Sequence, residues 1–210
     1  PVMFCQPVYA LVAMGVSALV FLPAVRHLLG DDPRQSRHYV RIVNERAFDR
    51  VASYLGQGTV RVGGHSDRAE RYIEPTLLTK VDPAAPVMCE EIFGPVLPTI
   101  PFREQSEIID FITAREKPLA LYYFGPEKQG REILNRTSSG GACLNDTIMH
   151  IANEALPFGG VGNSGMGSYH GRESFDAFSH RRAVVETPTW IDLPFRYMPY
   201  RMFRWVKHIL

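Results

Sequence analysis

Two kinds of side chain in this sequence are placed where they could do chemistry. The first is the thiol. Cys5, Cys89 and Cys143 are the three cysteines, and a thiolate attacks electrophilic carbon where its surroundings favour the anion. Cys143 lies in the apolar run 140–144, where a packed structural thiol is expected. Cys89 directly precedes Glu90 and Glu91, whose negative charge disfavours a thiolate. The second is the doubled carboxylate of Glu90-Glu91-Ile92-Phe93-Gly94-Pro95. Burying such acids without partners is expensive, and Gly94-Pro95 breaks the chain at once. A carboxylate and a flat ring presented together at the mouth of a cleft suit a ligand that combines hydroxyls, such as those of a ribose, with a planar ring. An acidic helix start followed by a turn is the other reading of the same six residues.

Composition narrows the field. The chain has 210 residues, 45% of them hydrophobic, and a net charge of +1. That is enough to bury a full core in one domain with appendages, and it implies no polyanionic partner. The cysteines are odd in number and show no CxxC spacing, which argues against a disulfide framework and fits a reducing compartment. The seven histidines show no HxxxH or HExxH pairing, so no metal site is expected. The chain opens with Pro1, which suggests that something precedes it. Residues 5–25 carry no charge. They read either as a buried strand over 8–13 followed by an apolar helix ending at Gly30, or as a membrane or signal segment.

The elements that must position these residues follow from pattern. Val43, Ala47, Val51 and Leu55 recur at four-residue spacing and predict a helix over 39–55. Short β-rich runs at 59–62, 72–78, 96–102, 120–124 and 140–144 alternate with helical patterns over 105–115 and 127–135. In the first of those helices Ile108, Ile109 and Ile112 point inward. Such alternation predicts an α/β fold with a mostly parallel sheet flanked by helices. Beyond Thr187 three prolines break up an aromatic, basic tail. Its last stretch, with Met202, Phe203, Val206 and Leu210 among Arg201, Arg204 and Lys207, reads as an interfacial amphipathic helix or as a tail packed on protein.

Several segments together resemble the aldehyde dehydrogenases: Glu90-Glu91-Ile92-Phe93-Gly94-Pro95, Arg115-Glu116-Lys117-Pro118-Leu119-Ala120-Leu121-Tyr122, Thr137-Ser138-Ser139-Gly140-Gly141, Asn145-Asp146, Leu156-Pro157-Phe158-Gly159-Gly160-Val161-Gly162 and Ser164-Gly165-Met166-Gly167-Ser168-Tyr169-His170-Gly171. Met149-His150, Ser174-Phe175-Asp176-Ala177-Phe178-Ser179-His180-Arg181-Arg182 and the 193–200 stretch are similar to the class 3 and fatty aldehyde dehydrogenase branch. The resemblance implies the C-terminal portion of such an enzyme. It comprises a divergent start over 1–30, a catalytic domain over 31–181, an oligomerisation strand over 182–187 and an amphipathic tail over 188–210. The dinucleotide-binding domain, with its glycine turn, and the general-base glutamate would lie in a preceding half.

The chemistry implied is oxidation of medium- or long-chain aldehydes to carboxylic acids with NAD or NADP, through a cysteine thiohemiacetal. By that resemblance Glu91 binds the nicotinamide ribose, Phe93 lies near the nicotinamide, and Asn145, Gly159 and Gly160 form the active-site wall. For Asn145 a turn-forming role competes with ligand contact, and the glycines are expected to supply shape. His170 and His180 fall at packing or hydrogen-bonding positions. The nucleophile is the point of departure from the family. Aligning Pro7 and Tyr9 puts Phe4 at the nucleophile's place, with Cys5 displaced by one residue and the family's Gly-Gln missing; by the resemblance Cys5 is either the nucleophile with a local gap or a chain-terminal cysteine in a divergent segment. A homodimer through the C-terminal strand, membrane-surface contact through 195–210 and a cytoplasmic or peripheral membrane location are the further expectations. The other reading is an inactive fragment that serves only for oligomerisation or membrane interaction.

Overall fold

The computed structural model describes residues 9–11, 18–192 and 197–198, with side chains from residue 21 onward. The chain divides into two units, Pro1–Ala177 and Phe178–Leu210. The first opens with strand β1 (Tyr9–Leu11) and helix α1 (Ala18–Leu29). Gly30, at φ +86°, ends α1 by returning its N–H to the Arg26 carbonyl, the left-handed stop that glycine accepts most readily. The apolar composition of this stretch predicts a buried helix, yet none of residues 21–29 is buried, and Leu28 is 70% exposed. No helix among the described residues is long and apolar enough to cross a membrane.

Helix α2 spans Glu45–Ser53, six residues shorter at its start than the expected 39–55 helix. Asn44 is the reason. It is fully extended, and its side chain accepts the Ala47 N–H, satisfying a donor that the first turn leaves open. Residues 39–43 run instead as a strap. The Tyr39 hydroxyl donates to the Ile73 carbonyl and the Ile42 N–H to the Arg71 carbonyl. Val43 therefore faces solvent, while Val51 keeps its place in the core at 0% exposure.

Strands β2 (Thr59–Val62), β3 (Ser66–Asp67), β4 (Tyr72–Ile73) and β5 (Thr76–Thr79) follow, and Pro75 splits the expected 72–78 run into two pieces. Short helix α3 (Pro86–Cys89) then leads into strand β6 (Val96–Pro98). One sheet has the order β2-β5-β6, antiparallel between β2 and β5 and parallel between β5 and β6. The hairpin of β3 and β4 stands apart. Helix α4 (Gln105–Thr113), strand β7 (Ala120–Tyr123), helix α5 (Glu127–Arg136) and strand β8 (Gly141–Leu144) then build the second sheet, order β1-β7-β8, parallel throughout. Helices α6 (Met149–Ala152) and α7 (Gly171–Ala177) close the unit. The parallel β-α-β alternation meets the α/β expectation.

Two apolar clusters hold the elements. Phe48, Val51, Tyr54, Ile73, Leu78, Val87 and Val96 pack α2 and α3 on the first sheet. Ile108, Ile109, Ile112, Leu121, Tyr123 and Ile133 seat α4 and α5 on the second, as the inward isoleucines predict. In the second unit, described over 178–192 and 197–198, Ile191 N–H closes a turn on the Pro188 carbonyl. Residues 182–187 make no ladder among the described residues and are exposed.

Candidate functional site

The 90–95 loop is held from below. Helix α3 ends at Glu90, whose N–H returns to the Pro86 carbonyl at 2.8 Å. Arg50, projecting from α2, donates through one nitrogen to the Glu91 carbonyl and through another to the Ile92 carbonyl, each at 2.9 Å. The first of those nitrogens also reaches the Tyr54 hydroxyl at 2.6 Å, and Tyr54 donates to the Glu90 carboxylate at 2.7 Å. Burial, and then donation to Glu90, holds the Tyr54 hydroxyl above the ordinary phenol range. Phe93 sits at φ +47°, a left-handed conformation that costs a non-glycine residue on the order of 1–3 kcal/mol. Gly94 follows because a Cβ there would stand 2.6 Å from the Val51 side chain. The Pro95 carbonyl then accepts the Thr76 N–H and delivers the chain to β6.

This arrangement divides the two acids. Glu90 is engaged by Tyr54, with Arg50 at 3.9 Å. The Glu91 carboxylate has no partner among the described residues, and the Phe93 ring two residues further along is 75% exposed. From one loop, a half-exposed carboxylate can accept hydrogen bonds from sugar hydroxyls and a bare aromatic face can lie against a planar ring. Arg50 and Tyr54 were not marked by the sequence. An arginine and a tyrosine four residues apart on an amphipathic helix look like any polar-edge pair.

The structure does not gather the remaining expected site residues in one place. Asn145, at φ +55°, follows β8 and spends its amide on Gly125. Its oxygen accepts the Gly125 N–H at 2.7 Å, and its nitrogen donates to the Gly125 carbonyl at 3.0 Å. It therefore braces the loops that leave β7 and β8, the turn-forming role weighed from the sequence. Gly159 and Gly160 lie at the opposite end of those strands. A Cβ on Gly140, which precedes β8, would meet the Gly159 carbonyl at 2.3 Å and the Leu119 carbonyl at 2.7 Å. A Cβ on Gly159 would meet the Gly167 carbonyl, and one on Gly160 the Ser164 carbonyl, each at 2.1 Å. These glycines are there for close backbone approach. Strand β1 begins at that same end, since Tyr9 pairs with Leu121. Cys5 lies outside the described residues.

One further contact escaped the sequence reading. Cys143 Sγ lies 3.4 Å from His150 Nδ1. His150 is buried, and its Nε2 finds no partner among the described residues. A Cβ on Gly141 would stand 2.4 Å from its ring, so only glycine leaves the imidazole room over β8. Burial holds the His150 pKa below its ordinary value. The signal was faint, because the two residues are seven apart and meet only where Ile148, at φ +64°, turns the chain back. The sequence reading of His170 as a packing residue agrees with its ring, stacked on Phe158 at 5.9 Å. The Cys89 thiol reaches only the Ala84 carbonyl, at 3.7 Å. Among the described residues no three His, Cys, Asp or Glu side chains gather as a metal cluster.

Comparison with known proteins decides the family. Residues 21–184 match the model of the aldehyde dehydrogenase family. The chain belongs to that family. Among curated relatives, a bovine aldehyde dehydrogenase described as dimeric and NADP-preferring is 52% identical over 166 residues, covering 79% of this chain and 70% of that protein. Human aldehyde dehydrogenase family 3 member B1 is 52% identical over 169 residues, covering 78% of this chain and 36% of that protein. Among solved structures, the substrate-bound Staphylococcus aureus AldH superposes with a TM-score of 0.76 at 43% identity, covering 89% of this chain and 42% of that one. The chain thus spans well under half of the human and staphylococcal proteins. The aldehyde dehydrogenase fold accounts for its parallel strands and crossover helices.

Proposed function

We propose that this chain is the C-terminal, catalytic-domain part of an enzyme that oxidises aldehydes to carboxylic acids with NAD or NADP, in which Cys5 forms a thiohemiacetal with the aldehyde. The observation that carries the reading is the unpartnered Glu91 carboxylate and the exposed Phe93 on one loop pinned by Arg50. Those residues fit one side of a nicotinamide dinucleotide. Glu91 would accept from the ribose hydroxyls and Phe93 would offer its ring to the nicotinamide. When bound, the dinucleotide supplies the hydride acceptor. The chain's own part is to bind and orient. The Glu91–ribose contact fixes one end of the cofactor, and tight glycine packing at the start of β8 shapes the wall.

The NADP-preferring, dimeric relative supports NADP as well as NAD, and assembly as a homodimer. The exposed apolar Val184 and Val185 within 182–187 suit a strand that pairs with a second copy. We assign a preference for medium- or long-chain aldehydes, and contact with a membrane surface through 195–210, to the tail, whose charged residues over 195–210 are all basic. On this reading the location is the cytoplasm or an intracellular membrane periphery. The experiment is dinucleotide reduction by the purified chain with a long-chain aldehyde, alongside Cys5→Ala. Turnover that this change abolishes supports the reading. A chain that neither turns over nor binds dinucleotide is instead an inactive oligomerisation or membrane-interaction module.

A further inference from the structure

We propose that Arg50 is a positioning residue for dinucleotide binding, holding the Glu91 and Ile92 backbone so that the Glu91 carboxylate and the Phe93 ring are presented together. The inference rests on the reading of Glu91 and Phe93 given above. Three features of the clamp single it out from an ordinary surface arginine. Two different guanidinium nitrogens bind two consecutive carbonyls at equal 2.9 Å distances, a match to the planar fork that a lysine ammonium, a single point, cannot reproduce. The guanidinium is itself held, by the Tyr54 hydroxyl and by the Tyr54 ring, over which its Cζ stands at 5.5 Å. Glu90 completes the set by accepting from Tyr54. One acid of the doubled pair thereby anchors the clamp and leaves the other free, which gives the two adjacent carboxylates separate jobs.

The backbone just beyond the clamp needs such support. Phe93 is left-handed, and Gly94 has no room for a side chain against Val51. A segment bound in that shape stays there only when its surroundings over-determine it. Charge-assisted bonds to two neighbouring carbonyls do so from the rigid side of α2, whose Val51 is fully buried. A ligand then meets a carboxylate already in place, without the ordering that a loose loop would require on binding.

Amide order parameters and equilibrium NADPH and NADH binding test this on the full chain, in Arg50→Met, Arg50→Lys, Tyr54→Phe and Glu91→Gln. Residues 92–94 are expected near the rigid value of about 0.85 in the unmodified chain and below about 0.6 in Arg50→Met, with Val51 and Leu78 unchanged. Dinucleotide affinity should fall about tenfold in Arg50→Met, a change of about 1.4 kcal/mol. Arg50→Lys should recover part of both effects. Tyr54→Phe, which removes only the hydroxyl, should move both readouts in the same direction by less, and it decides the matter if Arg50→Met unfolds. Unchanged order at 92–94 in Arg50→Met with the core intact, or in Tyr54→Phe should Arg50→Met unfold, overturns the clamp. Order lost with affinity unchanged overturns its role in binding. If Glu91→Gln binds as tightly as the unmodified chain, or the unmodified chain binds neither dinucleotide, the underlying reading of Glu91 fails, and the positioning role for dinucleotide binding fails with it. The order parameters still report whether the clamp exists.

Discussion

Glu91 and Glu90 differ only in what surrounds them, and that difference is measurable. Glu91→Gln exchanges a charged acceptor for a neutral one, and hydrogen bonds to charged groups are worth about 1.5–3 kcal/mol. The neutral amide still accepts, at about 0.5–1.5 kcal/mol, so dinucleotide affinity should drop by about 1–1.5 kcal/mol, about five- to tenfold, with melting unchanged, as titration calorimetry would show. His150 makes a second prediction. Its folded pKa lies below the ordinary value of 6.5, so the unfolded chain takes up a proton first as the pH falls. Above that pH both states are neutral and the residue has no effect. Below it stability falls, until the folded state also protonates. Thermal melts between pH 7.5 and 5.5 should show this slope in the unmodified chain and a shallower one in His150→Gln; equal slopes would refute the assignment. Glu91 and Phe93 were legible in the sequence because acids, an aromatic and Gly-Pro in succession make a poor structural loop. Arg50 and His150 were not, since their meaning depends on partners that only folding brings near.

At the scale of elements, hydrophobic period located the helices and strands well wherever a stop signal was also read. Helix α4 buries the three isoleucines that its pattern selects, and β7 and β8 fall within a residue or two of expectation. Helix α2 shows how period alone overreaches. The four-residue spacing continues through Val43, but the Asn44 side chain captures the Ala47 N–H and starts the helix there. Asn44→Ala should lower stability by about 1 kcal/mol, read as a shift in the denaturant midpoint at constant slope. Gly94 offers a steric test. A methyl group placed 2.6 Å from Val51 must displace a fully buried side chain, so Gly94→Ala should destabilise by about 1–3 kcal/mol in the same measurement. The seating of the apolar α1 was beyond the sequence, because composition reports what a helix can bury and not what is present to cover it.

Across the whole molecule, apolar side chains stand exposed on several elements. In the first unit α1 is apolar along one continuous stretch, and none of its residues 21–29 is buried. Monomeric proteins rarely leave large contiguous apolar patches bare. The purified chain should therefore self-associate, with light scattering that rises with concentration and falls in mild detergent. A monodisperse monomer at high concentration would contradict this. The family was legible because its motifs recur in order along most of the chain, and no single motif would have sufficed.

The pairing of β1 with β7 has a temporal side. Tyr9 finds its register against Leu121, more than half the sequence away. Such distant parallel contacts form late, since the intervening chain must be closed before they reward it. During synthesis β1 is made long before β7, and the edge that β7 covers stays open in the interval. For that interval the strand just after the candidate nucleophile is a template on which another nascent chain can dock. The traffic of folding, and not only the finished site, thus bears on whether that thiol ever reaches its place.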